Sequence, residues 1–164
     1  MSTRLIGASV WEQELYDHFR SHIEHEDELI AAYGELAAST TMPGFGYLAK
    51  LILAEEQRHH QVFADLAETL EVEAAELRAD GSPVPPISVR GLPEEERQRI
   101  LALTDRFLAF ERQDARDLDH LAKSLEPVKD TTLWHLLVTL MRADTEKHIR
   151  ILRFLRDRVR HATR

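Results

Sequence analysis

The chain has 164 residues, 43% hydrophobic and 30% charged, with 29 acidic against 21 basic side chains and a formal net charge of −8. That length supports one compact domain with a sizeable core, and the acidic balance argues against general nucleic-acid binding, which wants a basic surface. The absence of cysteine excludes disulfides, thiolate metal sites and cysteine nucleophiles, so any metal must be held by Asp, Glu, His or backbone oxygen.

Helical periodicity runs through almost the whole chain and predicts four long helices. The first is expected over about 10–39, because Ser9-Val10-Trp11-Glu12 has the form of a capping box. The stretch STTMPGFG breaks it, and Pro43 suits the first turn of a second helix over about 43–80. GSPVPPISVRGLP is too rich in Pro and Gly to continue a helix and reads as a crossover over about 81–92, in which PPISV could be extended. Pro93, followed by Glu94, Glu95 and Glu96, opens a third helix to about 126, with acids at its positive end. A break at Glu126-Pro127 and an N-cap at Asp130 predict the last helix over about 130–161. Two short loops and one longer crossover imply an all-α, antiparallel four-helix bundle in a single domain. No stretch approaches the roughly 20 apolar residues of a membrane span. MSTRLIGASVW lacks the apolar segment of a signal peptide, so a cytoplasmic protein is expected.

The two halves resemble each other. EDELIAAYGELAAS from Glu26 aligns with ERQDARDLDHLAKS from Glu111, and AEEQRHH from Ala54 aligns with ADTEKHI from Ala143. His59 then falls on His148, in register with the two glutamates except for a connection about four residues longer in the second half. Two matches in the same order are harder to dismiss than one, because helical sequences are repetitive.

Apolar residues three and four apart mark the stripe that each helix should bury. Phe19, Ile23, Ile30, Tyr33 and Ala37 form it on the first helix, with Glu26 in the middle. On the second, Leu48, Ile52, Val62 and Leu66 are interrupted by Glu55 and His59, with Glu56 on the adjacent row. Ile100, Phe107, Ala115, Leu118 and Ala122 of the third flank Glu111. Leu133, Leu137, Leu140, Ile151 and Leu155 of the fourth flank Asp144 and His148. All four interruptions lie near mid-helix, where an antiparallel bundle brings its helices together.

Buried carboxylates without counter-charge are badly destabilising. Two cations would relieve this, the carboxylates bridging them and each imidazole supplying one neutral nitrogen. Oxygen and imidazole donors without sulfur suit iron or manganese, with zinc still open.

One inward Glu on each of helices one and three, with Glu-x-x-His on two and four, is the ligand pattern of the ferritin-like carboxylate proteins. Glu26, Glu56-Gln57-Arg58-His59 and Glu111 match it, and from about residue 10 to 160 the chain resembles a rubrerythrin-type ferritin-like domain without the rubredoxin module. The resemblance implies a dinuclear metal centre, iron first, with Glu26, Glu56, His59, Glu111, Asp144 and His148 as ligands. It further implies oxygen or peroxide as reactant and a homodimer as assembly. The fourth helix departs from the pattern: Thr145 stands where the bridging Glu is expected, and Asp144 is the nearest substitute. Its counterpart in helix two is Glu55, so a symmetric Glu55/Asp144 site is the alternative to one using Glu56.

His18, His22, His25, His60, His120 and His135 show no comparable registration and read as surface or boundary residues, whereas Trp11 and Trp134 read as packing or interface residues. Arg150, Arg153, Arg156, Arg158 and Arg160 would complement the dipole of the last helix. Two further functions stay open: iron sequestration without turnover, and a structural bundle in which Thr145 marks a degenerate site. Nothing supports a nucleotide-dependent or serine-triad enzyme, since there is no phosphate-binding Gly-rich loop and no credible triad.

Overall fold

The computed structural model describes residues 4–75, 82–85 and 91–161. Among these the protein is all-helical: α1 Val10–Ser39, α2 Pro43–Ala74, α3 Glu94–Leu125 and α4 Trp134–His161, with one 3₁₀ turn at Glu126–Val128 and no strand. No helix among them is long and apolar enough to cross a membrane. The chain divides into two compact units, Met1–Ile87 and Ser88–Arg164, each a pair of helices.

The first unit starts from its cap. Ser9 Oγ accepts from the Glu12 amide at 3.3 Å and Glu12 Oε2 accepts from the Ser9 amide at 2.6 Å, so two of the helix's orphan donors are satisfied. Thr40, extended at φ −67° and ψ 134°, ends α1, and Pro43 at the first position of α2 needs no amide partner there. Tyr16 meets Glu71, Asp27 meets His60 and the Thr40 methyl approaches Gly46, so α1 and α2 form a hairpin. Tyr16, Ile23, Ala67 and Leu70 make its core together with Leu5 from the segment ahead of α1. That segment turns at Gly7, whose φ of +89° L side chains rarely adopt. A Cβ there would stand 2.9 Å from the Ala74 carbonyl oxygen. The core is narrow, and roughly 1.5–3 kcal/mol per fully buried large side chain is what such a hairpin can draw on.

In the second unit the third helix begins as expected, Glu94 and Glu96 each gripping the arginine three residues on. Hydrogen bonds from Arg97 and then Gln98 pull the Glu94 carboxyl down to about 2. Arg160 meets Asp105, His148 meets Glu111 and Arg142 meets Asp119, which again defines a hairpin. Thr104, Leu108 and Ala115 of α3 and Val138, Thr145 and Val159 of α4 are its buried residues, Leu108 being the most enclosed at 1% exposure.

Two boundaries differ from the sequence reading. The helix α4 starts at Trp134 rather than near Asp130, because Thr131 and Thr132 both turn their amides and hydroxyls onto the Val128 carbonyl and hold a tight turn after Pro127. The helix α2 closes at Ala74, its cap amide at Ala75 bonding to Glu71; the rest of the expected run to 80 lies outside the described residues. So do residues 81 and 86–90 of the 81–92 crossover, with the PPISV stretch beyond Pro85. The stripes themselves are only half buried. Ile52, Val62, Phe107, Leu140, Ile151 and Leu155 are exposed, because each hairpin covers only the row that faces its own partner helix.

Candidate metal centre

Glu26 lies at the middle of α1 on the face packed against α2 and is only 6% exposed. Its Oε2 is buried without a hydrogen-bond partner. A carboxylate in that position demands a counter-charge or a donor. What it meets is Glu56 and His59 of α2: one donor atom from each of the three residues lies within 4.8 Å of the others. Glu56 Oε2 and His59 Nδ1, one turn apart, are separated by 3.7 Å, with the glutamate side chain 21% and the imidazole 50% exposed. Glu55, the alternative ligand, points the other way, half exposed and paired with Arg58. Of the two adjacent carboxylates, Glu56 is the one turned toward Glu26.

The second hairpin reproduces part of this. Glu111 of α3 and His148 of α4 approach to 3.4 Å between Oε1 and Nδ1. They border one concavity with Asp114, Met141, Asp144 and Thr145. Thr145 is 6% exposed, its Oγ1 donating to the Met141 carbonyl at 3.1 Å. Asp144 is half exposed and ion-paired with Lys147 at 2.6 Å. The substitution is therefore not simply shifted by one residue. Thr145 occupies the inward row held by Glu56, and Asp144 occupies the outward row held by Glu55. Even the basic residue three positions on is repeated, Arg58 in one hairpin and Lys147 in the other.

Burial carries the internal repeat further than the sequence match did. With His59 aligned on His148, buried Ala49 falls on buried Val138 and buried Leu70 on buried Val159. With Glu26 aligned on Glu111, buried Ile23 falls on buried Leu108. Both hairpins thus hold their glutamate in the same local setting, one turn from an aliphatic residue that seals the interhelical face.

The remaining histidines lie at the surface or boundary, as expected, and several of them are paired. His60 pairs with Asp27 at 3.1 Å across the first hairpin, and His135 with Glu126 at 3.3 Å in the second. His18 and His22 face each other, which the i, i+4 spacing could have shown. Arg156 and Arg160 reach across to Asp105, so the basic end of α4 serves helix pairing as well as the dipole. Trp11 and Trp134 are largely exposed.

The first hairpin fits a cation. It supplies two carboxylates and an imidazole, with no sulfur, around a buried oxygen that has no protein donor; such a set suits a divalent first-row metal, and iron, manganese or zinc all satisfy it. The second hairpin offers one carboxylate and one imidazole in contact, with Asp144 committed to Lys147. No family model, curated protein or solved structure matches this chain.

Proposed function

We propose that this chain is a ferritin-like dimetal protein whose two ions, iron in the first instance, are held by Glu26, Glu56, His59, Glu111, Asp144 and His148. The reading takes the four helices as one antiparallel bundle with 81–92 as its long crossover. What carries it is the orphaned Glu26 oxygen beside Glu56 and His59. It is supported by the repeat of the Glu–His pairing at Glu111 and His148, and by apolar residues left uncovered near each pair, Ile52 and Val62 in one hairpin, Phe107 and Ile151 in the other.

In this reading the bound iron supplies the electrons that reduce oxygen or peroxide. The protein's own part is to hold donors in place. Burial keeps the Glu26 carboxylate out of water, so that its charge acts at full strength on a cation. The helix fixes Glu56 and His59 one turn apart. Their exposed edges leave a path for a small oxidant.

A second reading is favoured by Thr145. With a hydroxyl bonded to its own helix where Glu56 has a carboxylate, the second hairpin holds a cation less strongly, and the chain then binds one metal at Glu26, Glu56 and His59 without redox turnover. Metal content per chain after anaerobic loading with Fe(II) separates the two. About two ions, reduced by Glu26→Gln, support the dimetal protein and warrant oxygen and peroxide consumption assays. One ion supports the binding reading, and none from folded protein refutes both.

A further inference from the structure

A pair of histidines lies on the outer part of α1, one and two turns before Glu26, apart from the candidate ligands above. His18 and His22 are an i, i+4 pair, and their Nε2 atoms are 3.1 Å apart. The rings meet edge to face, with centroids 4.5 Å apart and planes at 77°. His22 is held from behind: its ring stacks on Phe63 of α2 at 4.8 Å and 6°, and Phe63 in turn packs on Phe19. His18 is exposed on the solvent side and His22 half-buried. We propose that His18 and His22 chelate a late first-row divalent cation, Zn(II), Ni(II) or Cu(II), through their two Nε2 atoms.

The geometry argues for this beyond the spacing. Two imidazole nitrogens at about 2.0–2.1 Å from a zinc ion stand about 3.3 Å apart in a tetrahedral site, and about 2.9 Å apart as neighbours in an octahedral one. The observed 3.1 Å falls between these two bites, so the two nitrogens already stand at a chelating distance. A helix carries this arrangement well, since residues four apart are neighbours on one face and the same His-x-x-x-His spacing binds zinc in helical metal sites. Phe63 removes most of the freedom of one ring, which lowers the entropy lost on chelation. Imidazole suits Zn, Ni and Cu, and the general order of affinity places Cu(II) first. Without metal, one Nε2–H donates to the other Nε2. On binding, that ring's proton moves from Nε2 to Nδ1, so that both Nε2 lone pairs are free for the cation. Open positions remain for water or for a ligand from outside the chain.

The test uses the full chain in a Glu26→Gln/His59→Gln background, so that the candidate centre does not mask the result. Zn(II) is titrated in competition with a chromogenic chelator at pH 7.5, and imidazole nitrogens are followed by long-range ¹H–¹⁵N correlation. One Zn(II) per chain is expected, with the Nε2 signals of two histidines moving together. His18→Gln, which leaves the packed ring untouched, should weaken binding at least tenfold. His22→Phe keeps the stack on Phe63 and should do the same. Zinc binding unchanged by His18→Gln in folded protein overturns the proposal, as does Zn(II) that moves only the signals of other histidines, or no binding at all.

Discussion

The His59 imidazole Nδ1 stands 3.7 Å from Glu56 Oε2, one turn back on α2, while Glu55 turns outward to Arg58. Two neighbouring glutamates, identical in chemistry, are separated by the roughly 100° that one helical residue turns. Loss of Glu56 should therefore be felt by a bound metal and loss of Glu55 should not. Glu56→Gln is expected to weaken Fe(II) or Mn(II) binding by more than tenfold, against less than threefold for Glu55→Gln, in parallel equilibrium titrations.

Thr145 offers the converse experiment. Thr145→Glu would restore Glu-x-x-His on α4 and point a carboxylate at the row where Thr145 is now 6% exposed. Without metal the variant should be less stable by about 3 kcal/mol, since a buried charge lacks a partner. With Fe(II) the loss should be recovered and a second equivalent bound. Denaturant melts with and without metal would show this, and a variant destabilised equally in both conditions would contradict it.

Tyr16 ties the outer ends of the first hairpin, its hydroxyl donating to Glu71 Oε1 at 2.5 Å from a ring that is 3% exposed. Burial, and then the bond to Glu71, push the Tyr16 hydroxyl above its ordinary value. The neutral form is thus favoured by folding. Its stabilisation is fully present below about pH 10, the unfolded value, and is lost as pH rises through the higher folded one. Tyr16→Phe should lower stability by about 1–2 kcal/mol at pH 7. It should also flatten the fall in melting temperature between pH 9.5 and 11.

The acid side runs the other way. The Glu94 carboxyl, held at about 2 by Arg97 and Gln98, and the Glu12 carboxyl, lowered by Ser9, are both below their ordinary values. Their contribution is present above about pH 4.5 and fades as pH falls, for Glu94 toward about 2. Glu94→Gln should lower stability at pH 7, where that contribution is present, and converge on the parent protein as pH falls toward about 2, which makes the acid limb shallower. Ser9→Ala, which removes the cap acceptor, should cost about 1 kcal/mol at neutral pH.

Gly7 is the point where the leading segment folds back over Ala74. Gly7→Ala meets both a left-handed φ of +89° and a backbone oxygen at 2.9 Å. A loss of about 1–2 kcal/mol is expected, accompanied by exposure of Leu5. Faster amide exchange at Leu5, whose N–H donates to Gln13 Oε1, would report it directly.

Much of this protein was legible in residue order. The cap at Ser9, the helix start at Pro43, the acidic start of α3 and the positions of Glu26, His59, Glu111 and His148 along their helices follow from local rules: side chains that bond to the nearest backbone, a proline ring suited to a first turn, and a 3.6-residue period. The doubled Glu–His pattern was visible too, because a repeat needs no knowledge of contacts.

Tertiary structure decided what periodicity leaves open. A helical stripe is about 100° wide, and sequence alone does not say which edge of it meets the neighbouring helix. The hairpins choose the edge: they bury Ile23, Leu108 and Thr145 and leave Ile52, Phe107 and Ile151 outside. That same rotation turns Glu56 inward and Glu55 outward and sets Asp144 against Lys147. Pattern determined which residues could be ligands; the angle at which two helices face each other determined which of them share a site.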